Sequence, residues 1–306
     1  MRAFLCLMGY RVVYIDQSEK LSLYLDNLCV ETEKGDIKIP VSDIQTLIID
    51  NYRTVLSVRL MNELCNSNVC TIMCGMDHLP CSYLLPMNGH YSSSGNIMKQ
   101  IAWDENIKGK LQKAIVKGKI NNQVKVLTKY HCRSDVIQKV SQFAEEVLDG
   151  DPGNREGLAA KMYFRELFGE GFTRFGNDAV NAGLNYGYSI FRSLIATTVV
   201  SKGYLPNIGL FHKGKENMFN LADDIIEVFR PIVDDFVREN LIDSLELTKD
   251  DRENLIRLTL GRIKFNGQTE TMSNAISLYI DTILKCIDSK NTDFYQTPGI
   301  EVSYDI

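Results

Sequence analysis

Apolar and polar positions alternate with a period of two over the first third of the chain and recur at helical spacing beyond it. Arg11-Val12-Val13-Tyr14-Ile15, Leu21 to Leu25 and Cys29 to Thr32 are alternating or β-branched runs, which predicts strands. Turn residues separate them at Asp16-Gln17-Ser18, Asp26-Asn27 and Gly35-Asp36. Ile37-Lys38-Ile39-Pro40 reads as a short edge strand, because Pro40 has no N–H to give a ladder. Ile44 to Ile49 is a more fully apolar strand. A helix is predicted over Ser57 to Asn66, with Val58, Leu60, Met61 and Leu64 at helical spacing, followed by strands at Val69 to Met73 and Tyr83-Leu84-Leu85.

These elements predict a small, β-rich, sandwich-like N-terminal domain over residues 1–87. Asn88 to Gly95 is Gly- and Ser-rich, so residues 88–98 read as a linker. Helical periodicity then runs through Ile101 to Tyr130, Val136 to Leu148, Asn154 to Phe168 and Asn177 to Lys202. It resumes over Met218 to Leu241, Lys249 to Lys264 and Glu270 to Asp288. The expected fold is therefore α+β, with a larger all-α domain over 99–288. The tail, 289–306, has no periodicity and is expected to be loose.

Composition adds little to this picture, and charge adds more. A length of 306 residues suits two domains, and 44% apolar with 24% charged residues is ordinary for a soluble protein. Eight cysteines in no paired framework suggest the reducing cytoplasm. Cys65, Cys70, Cys74 and Cys81, with His78 nearby, lack the two-residue gaps of a zinc knuckle and read as small buried hydrophobes. No apolar run approaches the ~20 residues of a membrane span, and Met1 to Tyr10 has no small-residue cleavage site. The net charge of −5 speaks against nucleic acid, but residues 99–139 carry 10 basic against 3 acidic side chains. Such a band can track a phosphate backbone, or be a solvated helix face.

Candidate chemistry lies on three segments. On the helix from Asn154, positions 156, 159, 160, 163 and 164 share a face, so Glu156 heads a stripe of Ala159, Ala160, Tyr163 and Phe164. A carboxylate buried there needs a partner or a metal; equally, Glu156 can simply complement the helix dipole. Gly203, Pro206 and Gly209 mark a loop that presents His212 beside Lys213 and Lys215. The following helix carries Asp223, Asp224 and Glu227, where 224 and 227, or 223 and 227, share a face. An imidazole and carboxylates at a loop–helix junction can make a divalent-metal site.

Several of these strings resemble one family. Asn154 to Phe164 (NREGLAAKMYF) is similar to the first active-site segment of the CRISPR-associated spacer integrases, the universal adaptation endonuclease (Cas one), whose glutamate matches Glu156. The run from Gly203 to Pro231 resembles the family's second segment, with its histidine at His212 and its acidic ligand at Glu227. Asp224 matches a second acidic position of that run. Asp178 to Tyr188 resembles the "D-VNA-LNYGY" helix, Lys119 to Gln123 the "KI-NQ" signature, and Met8 to Arg11 the family's usual start, in its type II form. If Met8 is that start, seven residues precede it.

The resemblance implies an N-terminal β-rich dimerisation domain and a helical catalytic domain. It implies a homodimer that assembles with the second CRISPR-associated adaptation protein (Cas two) and, in type II systems, with other adaptation proteins. Its partner is double-stranded DNA, both the captured fragment and the CRISPR repeat. Glu156, His212 and Glu227 are implied as catalytic metal ligands for Mg2+ or Mn2+, with Asp224 secondary. Lys119, Lys161, Lys213 and Lys215 are candidate DNA contacts. The implied reaction is attack by a 3′-hydroxyl on a phosphodiester. A hydrolytic metal-dependent nuclease and a non-catalytic helical adaptor are the alternatives.

Overall fold

The computed structural model describes residues 2–4, 11–17, 20–32, 35–87, 89–174 and 176–304. The chain divides into two compact units. One gathers the described residues up to 97 together with 196–204, and the other holds 98–195 with those from 205 onward. The family start expected at Met8 to Tyr10 lies outside the described residues.

The first unit contains β1 (Arg2–Phe4), β2 (Arg11–Ile15), β3 (Lys20–Tyr24), β4 (Asn27–Val30), β5 (Ile37–Pro40), β6 (Ile44–Ile49), β7 (Val55–Leu56), α1 (Val58–Asn66), β8 (Cys70–Cys74) and β9 (Pro80–Leu84). Two sheets result, in spatial order β1-β2-β6-β8-β9 and β5-β4-β3-β7. The pairs β2–β6 and β6–β8 are parallel. Parallel neighbours need long crossovers; the strands of the second sheet supply the first and α1 the second. Val13, Ile15, Leu47 and Ile49 of one sheet meet Leu21, Leu28, Val30 and Ile39 of the other, with Leu60 and Leu64 of α1, in a single apolar core. Pro40 lies on an edge strand, as its missing N–H requires.

The segment expected as a linker carries α2 (Ser93–Ile101). Its serines and glycine are weak helix formers, but Ser93 Oγ donates to His90 O at the helix start and Asn96 Nδ2 donates to Lys202 O at 3.0 Å. Contacts distant in sequence override local propensity here.

The second unit is built on α3 (Glu105–Lys129), with α4 (Ser134–Glu146), α5 (Arg155–Phe168), α6 (Ala179–Ser201), α7 (Asn220–Ile226), α8 (Arg230–Asn240), α9 (Lys249–Arg257), β10 (Arg262–Phe265), β11 (Gln268–Thr271) and α10 (Met272–Ser289). The last residues of α6, 196–201, belong to the first unit. Helices α4, α5, α7, α8 and α10 all pack on α3. Accordingly Ile107, Leu111, Ile115, Val116, Ile120 and Leu127 are buried on several of its faces rather than along one stripe. Among the described residues no helix is long and apolar enough to cross a membrane.

Three expectations about this unit change. The helix read over 249–264 stops at Arg257, and β10 and β11 form an antiparallel hairpin. Asn266 and Gly267, at φ 52° and 76°, provide the two positive-φ positions that its tight turn needs. The helix read over 218–241 is two helices, α7 and α8. Pro231 has no N–H for the carbonyl of Glu227, and its ring crowds that carbonyl, so the helix breaks at 227–229. Asn122 Nδ2 donates to the Val228 carbonyl at this break, at 2.9 Å.

The tail is docked rather than loose. Tyr295 packs edge-on against Tyr279, and the two hydroxyls are 3.0 Å apart. Asn122 Nδ2 donates to Pro298 O at 3.2 Å, and Gly299 N to Lys264 O at 2.8 Å. Thr297 lies so close to α3 that a Cβ on Gly118 would sit 2.7 Å from its hydroxyl. These are irregular contacts, which leave no period in the sequence.

Candidate active site

Glu156 lies in the first turn of α5. Its neighbours have already taken the helix-end donors: Asn154 Oδ1 accepts from Gly157 N at 3.2 Å, while Asp151 accepts from Arg155 N and Glu156 N at 2.9 and 3.0 Å. The Glu156 carboxylate is left for another partner, and that partner is Lys119 of α3, with Nζ 2.6 Å from Oε1. The same ammonium lies 2.5 Å from Oε2 of Glu227. Glu227 is 3% exposed and sits at the proline-induced break. Its other oxygen, Oε1, accepts from Arg230 Nε at 3.0 Å. Three segments distant in sequence thus bring two carboxylates onto one cation.

The charges of this cluster answer one another. Burial pushes the Glu227 carboxyl up, but Arg230 and Lys119 outweigh it and hold the group at about 2. Burial likewise disfavours the Lys119 ammonium, and Glu227 and Glu156 together raise its pKa above the usual lysine value. The Glu227 carboxylate and the Lys119 ammonium are therefore charged at neutral pH.

His212 is placed by Asp224, which is fully buried. Its Oδ2 accepts from Leu210 N and Phe211 N at 2.5 and 3.3 Å, and its Oδ1 from His212 N at 3.0 Å. The same Oδ1 meets His212 Nδ1 at 2.6 Å. The loop closes this tightly because residue 209 is glycine: a Cβ there would fall 2.6 Å from His212 O and 2.8 Å from Asp224 Oδ2. The Asp224 bond raises the His212 pKa against the opposing effect of burial, and Glu227 adds to the rise. Asp224 itself is raised, because burial outweighs its hydrogen bonds. With Nδ1 committed to Asp224, Nε2 is the nitrogen that remains to act. Of the roles open to Asp224, orienting His212 is the one its contacts perform.

A divalent cation suits this donor set. Glu227 Oε2 is sealed from solvent, and the Lys119 ammonium 2.5 Å away is the group that answers its charge. A hard oxygen in that position, with a second carboxylate and an imidazole nearby, fits Mg2+ or Mn2+. As placed, no three His, Cys, Asp or Glu side chains among the described residues stand close enough together to share an ion. Lys119 is the cation between Glu156 and Glu227.

Behind the carboxylates lies a network that residue-by-residue reading of the sequence did not single out. Arg230 lies 4.5 Å from the centre of the Tyr188 ring, and Tyr188 and Tyr163 both donate to Asp234. Asp234 is fully enclosed, and burial pushes its carboxyl up to about 6 despite those two bonds. Arg230 also walls a cavity of about 290 Å3 with Arg174, Arg192, Tyr188, Asn185 and Asp223. Of its three guanidinium groups, Arg230 is bonded to Glu227, Arg192 lies 4.0 Å from Asp223, and Arg174 bonds the amide oxygens of Asn181 and Asn185. The signals were present, since Tyr163, Tyr188 and Arg230 all lie in strings that carry the family resemblance, but nothing local assigned them a role.

The candidate lysines separate. Lys119 is 8% exposed and belongs to the carboxylate cluster, not to a phosphate-facing surface. Lys161 and Lys215 are exposed. Lys213 is exposed and reaches Glu105 at 3.2 Å. Much of the basic band is internally paired: Lys113 with Asp149, Lys117 with Glu145, Lys129 with Asp235 and Arg133 with Glu166.

Comparison with known proteins converges on one family. The family model described as CRISPR associated protein Cas1 matches residues 13–262. A CRISPR-associated endonuclease Cas1 of Neisseria meningitidis is 34% identical over 297 residues, 96% of this chain and 97% of that protein. Among solved structures, a casposase bound to integration product superposes with a TM-score of 0.74 at 18% identity, covering 98% of this chain and 96% of that one. A Cas6-RT-Cas1–Cas2 complex gives 0.76 at 13% identity, over 97% of this chain and 37% of that one. At those identities the likeness is one of fold.

Proposed function

The chain belongs to the Cas1 family of CRISPR-associated proteins, and from that premise we propose that it joins short DNA duplexes to CRISPR repeats, using Mg2+ or Mn2+ held by Glu156, His212 and Glu227. The observation that carries this is the convergence of Glu156 and Glu227, from two separate segments, on a single cationic position. A divalent ion bound there supplies charge stabilisation at the phosphoryl oxygens and polarises the attacking 3′-hydroxyl.

The chain's own residues do the rest. Glu156 and Glu227 present hard oxygens, and Arg230 fixes the second of them through Oε1. Asp224 holds the His212 ring by Nδ1, so that Nε2 is presented in a fixed tautomer. The arginine-walled cavity beside Glu227 is suited to a backbone phosphate of the strand being joined. Lys161, Lys213 and Lys215 add contacts outside it. The 3′-hydroxyl of the incoming strand loses its proton and bonds to the phosphorus at the repeat's 5′ end, and the 3′-oxygen of the flanking strand leaves with the bond pair and takes up a proton. No phosphodiester is lost, and no water is consumed.

The partner assignments follow the same reasoning. The β-rich unit is proposed as the dimerisation surface, and two dimers with a Cas2 dimer as the working assembly. The match to a Cas1–Cas2 complex in fold, and to a casposase solved with integration product, supports both Cas2 and DNA as partners. The deciding assay offers a labelled 3′-hydroxyl duplex, a repeat-bearing plasmid, Mn2+ and Cas2. Label should appear in the plasmid, and Glu156→Ala and His212→Ala should each abolish the transfer while the protein stays folded. Label released only as hydrolysed fragments would establish the plain nuclease instead. Folded protein that binds DNA and never cuts or joins it would establish the adaptor.

A further inference from the structure

The feature that the proposed chemistry does not use is the ammonium of Lys119. It enters the site from α3, the helix on which most of the second unit packs, and it is 8% exposed. It lies 2.6 Å from Glu156 Oε1 and 2.5 Å from Glu227 Oε2. These are the two oxygens to which a divalent ion would be drawn. An ammonium and a divalent ion cannot both occupy the space between them.

Two details allow this ammonium to leave its partners. First, Arg230 bonds Oε1 of Glu227 at 3.0 Å, so that carboxylate keeps one charged partner when Nζ leaves Oε2. Second, lysine is a point charge on a flexible four-carbon stem, which can withdraw without disturbing the backbone.

Without any cation the arrangement would not persist. Two carboxylates drawn to one position repel, and one of them is almost wholly out of water. Some positive charge must stand between them as the protein folds, before an ion arrives. Granted the divalent-ion site proposed above, we propose that Lys119 is a built-in counter-cation: its ammonium holds Glu156 and Glu227 in register in the metal-free protein and is displaced from between them when the ion binds. Lys119 is on this account a positioning residue that competes with the ion it prepares for.

Competition gives a consequence opposite to that of a simple support. Lys119→Met keeps the length and packing of the stem and removes the charge. Metal-free Lys119→Met should melt below the wild type, and Mn2+ should bind it more tightly, by about tenfold or more, since no internal cation has to leave. Mn2+ should also raise its melting temperature by more than it raises that of the wild type. Calorimetric titration with Mn2+ alone, and melting with and without it, read both effects. Lys113→Met, at an exposed pair on the same helix, serves as the control and should change neither.

Unchanged or weaker Mn2+ binding by folded Lys119→Met would overturn the proposal while leaving the ion site standing, provided that the wild type binds Mn2+ and Glu156→Gln does not. Wild-type protein that binds no Mn2+ overturns the ion site itself. Should Lys119→Met fail to fold, wild-type crystals soaked in Mn2+ decide. Lys119 Nζ should then lie away from at least one of the two carboxylates, with the manganese anomalous peak between them. Manganese bound elsewhere, with Nζ still touching both carboxylates, overturns the proposal.

Discussion

At the scale of single residues, His212 and Asp224 work as one unit, and their pH dependence has a definite sign. The His212 pKa is raised by its bond to Asp224. A group raised on folding stabilises the native state below its unfolded pKa, ~6.5 for histidine, and that contribution is lost as pH rises through the folded value. Compared at one pH below ~6.5 and one above it, metal-free protein should therefore lose stability from this pair as the pH rises. A metal ion binds the neutral ring, so stabilisation by Mg2+ should grow across the same interval. Both trends are expected to be small, on the order of a degree or two in melting temperature, because the ring is 40% exposed. Calorimetric melting at the two pH values, with and without Mg2+, should show the two slopes opposed. His212→Gln should flatten both; opposed slopes that persist in His212→Gln would move the titration to another group.

At the scale of elements, the central event is the interruption between α7 and α8. The composition of the run made a continuous helix over 218–241 reasonable, since Leu221, Ile225, Val228 and Phe229 keep helical spacing through it. Pro231 was equally visible, but what it does depends on which carbonyl lies four residues back, and that carbonyl belongs to Glu227. The hairpin at 262–271 was legible too, in Asn266-Gly267, and was lost to an apolar spacing that suits either period. By contrast, neither the docking of the tail nor α2 leaves a local signal, because both depend on partners far along the chain, as at Asn96 and Tyr295. The site shows the same division. Glu156, His212 and Glu227 stood out as residue types on separate segments, while Lys119 looked like one lysine of a basic helix and only three-dimensional packing sets it between Glu156 and Glu227. Asn122, one turn further along α3, joins the break to the tail by bonding Val228 O and Pro298 O. Asn122→Leu keeps the volume and strands both buried carbonyls, which costs roughly 2–4 kcal/mol in all. Urea unfolding should show this loss, and a loss below ~1 kcal/mol would mean that water or a shifted backbone satisfies the two carbonyls.

At the scale of the whole molecule, the proposed function asks an acidic protein to hold a polyanion, and the distribution of its ion pairs bears on how it would. The 10 basic residues of 99–139 suggested a continuous phosphate track. In the folded protein Lys113, Lys117 and Lys129 reach acidic partners brought near by folding, and Lys119 is enclosed. A phosphate competing for those lysines must first break a pair, so they contribute less than their number suggests. Exposed pairs are individually weak, yet each partner carboxylate also repels DNA. The net attraction must come from groups that acidic side chains do not hold in this way: Arg174 of the cavity, whose guanidinium bonds Asn181 and Asn185, and the exposed Lys161 and Lys215. Each phosphate neutralised contributes ~0.9 to the slope of log affinity against log salt. The double substitution Lys161→Ala with Lys215→Ala should therefore lower that slope by about two in duplex binding measured across a salt series. Lys113→Ala with Lys117→Ala, though it removes the same formal charge, should change the slope by well under one. Equal losses from the two double variants would mean that the internal pairs open on DNA, and that the basic band of α3 is the track after all.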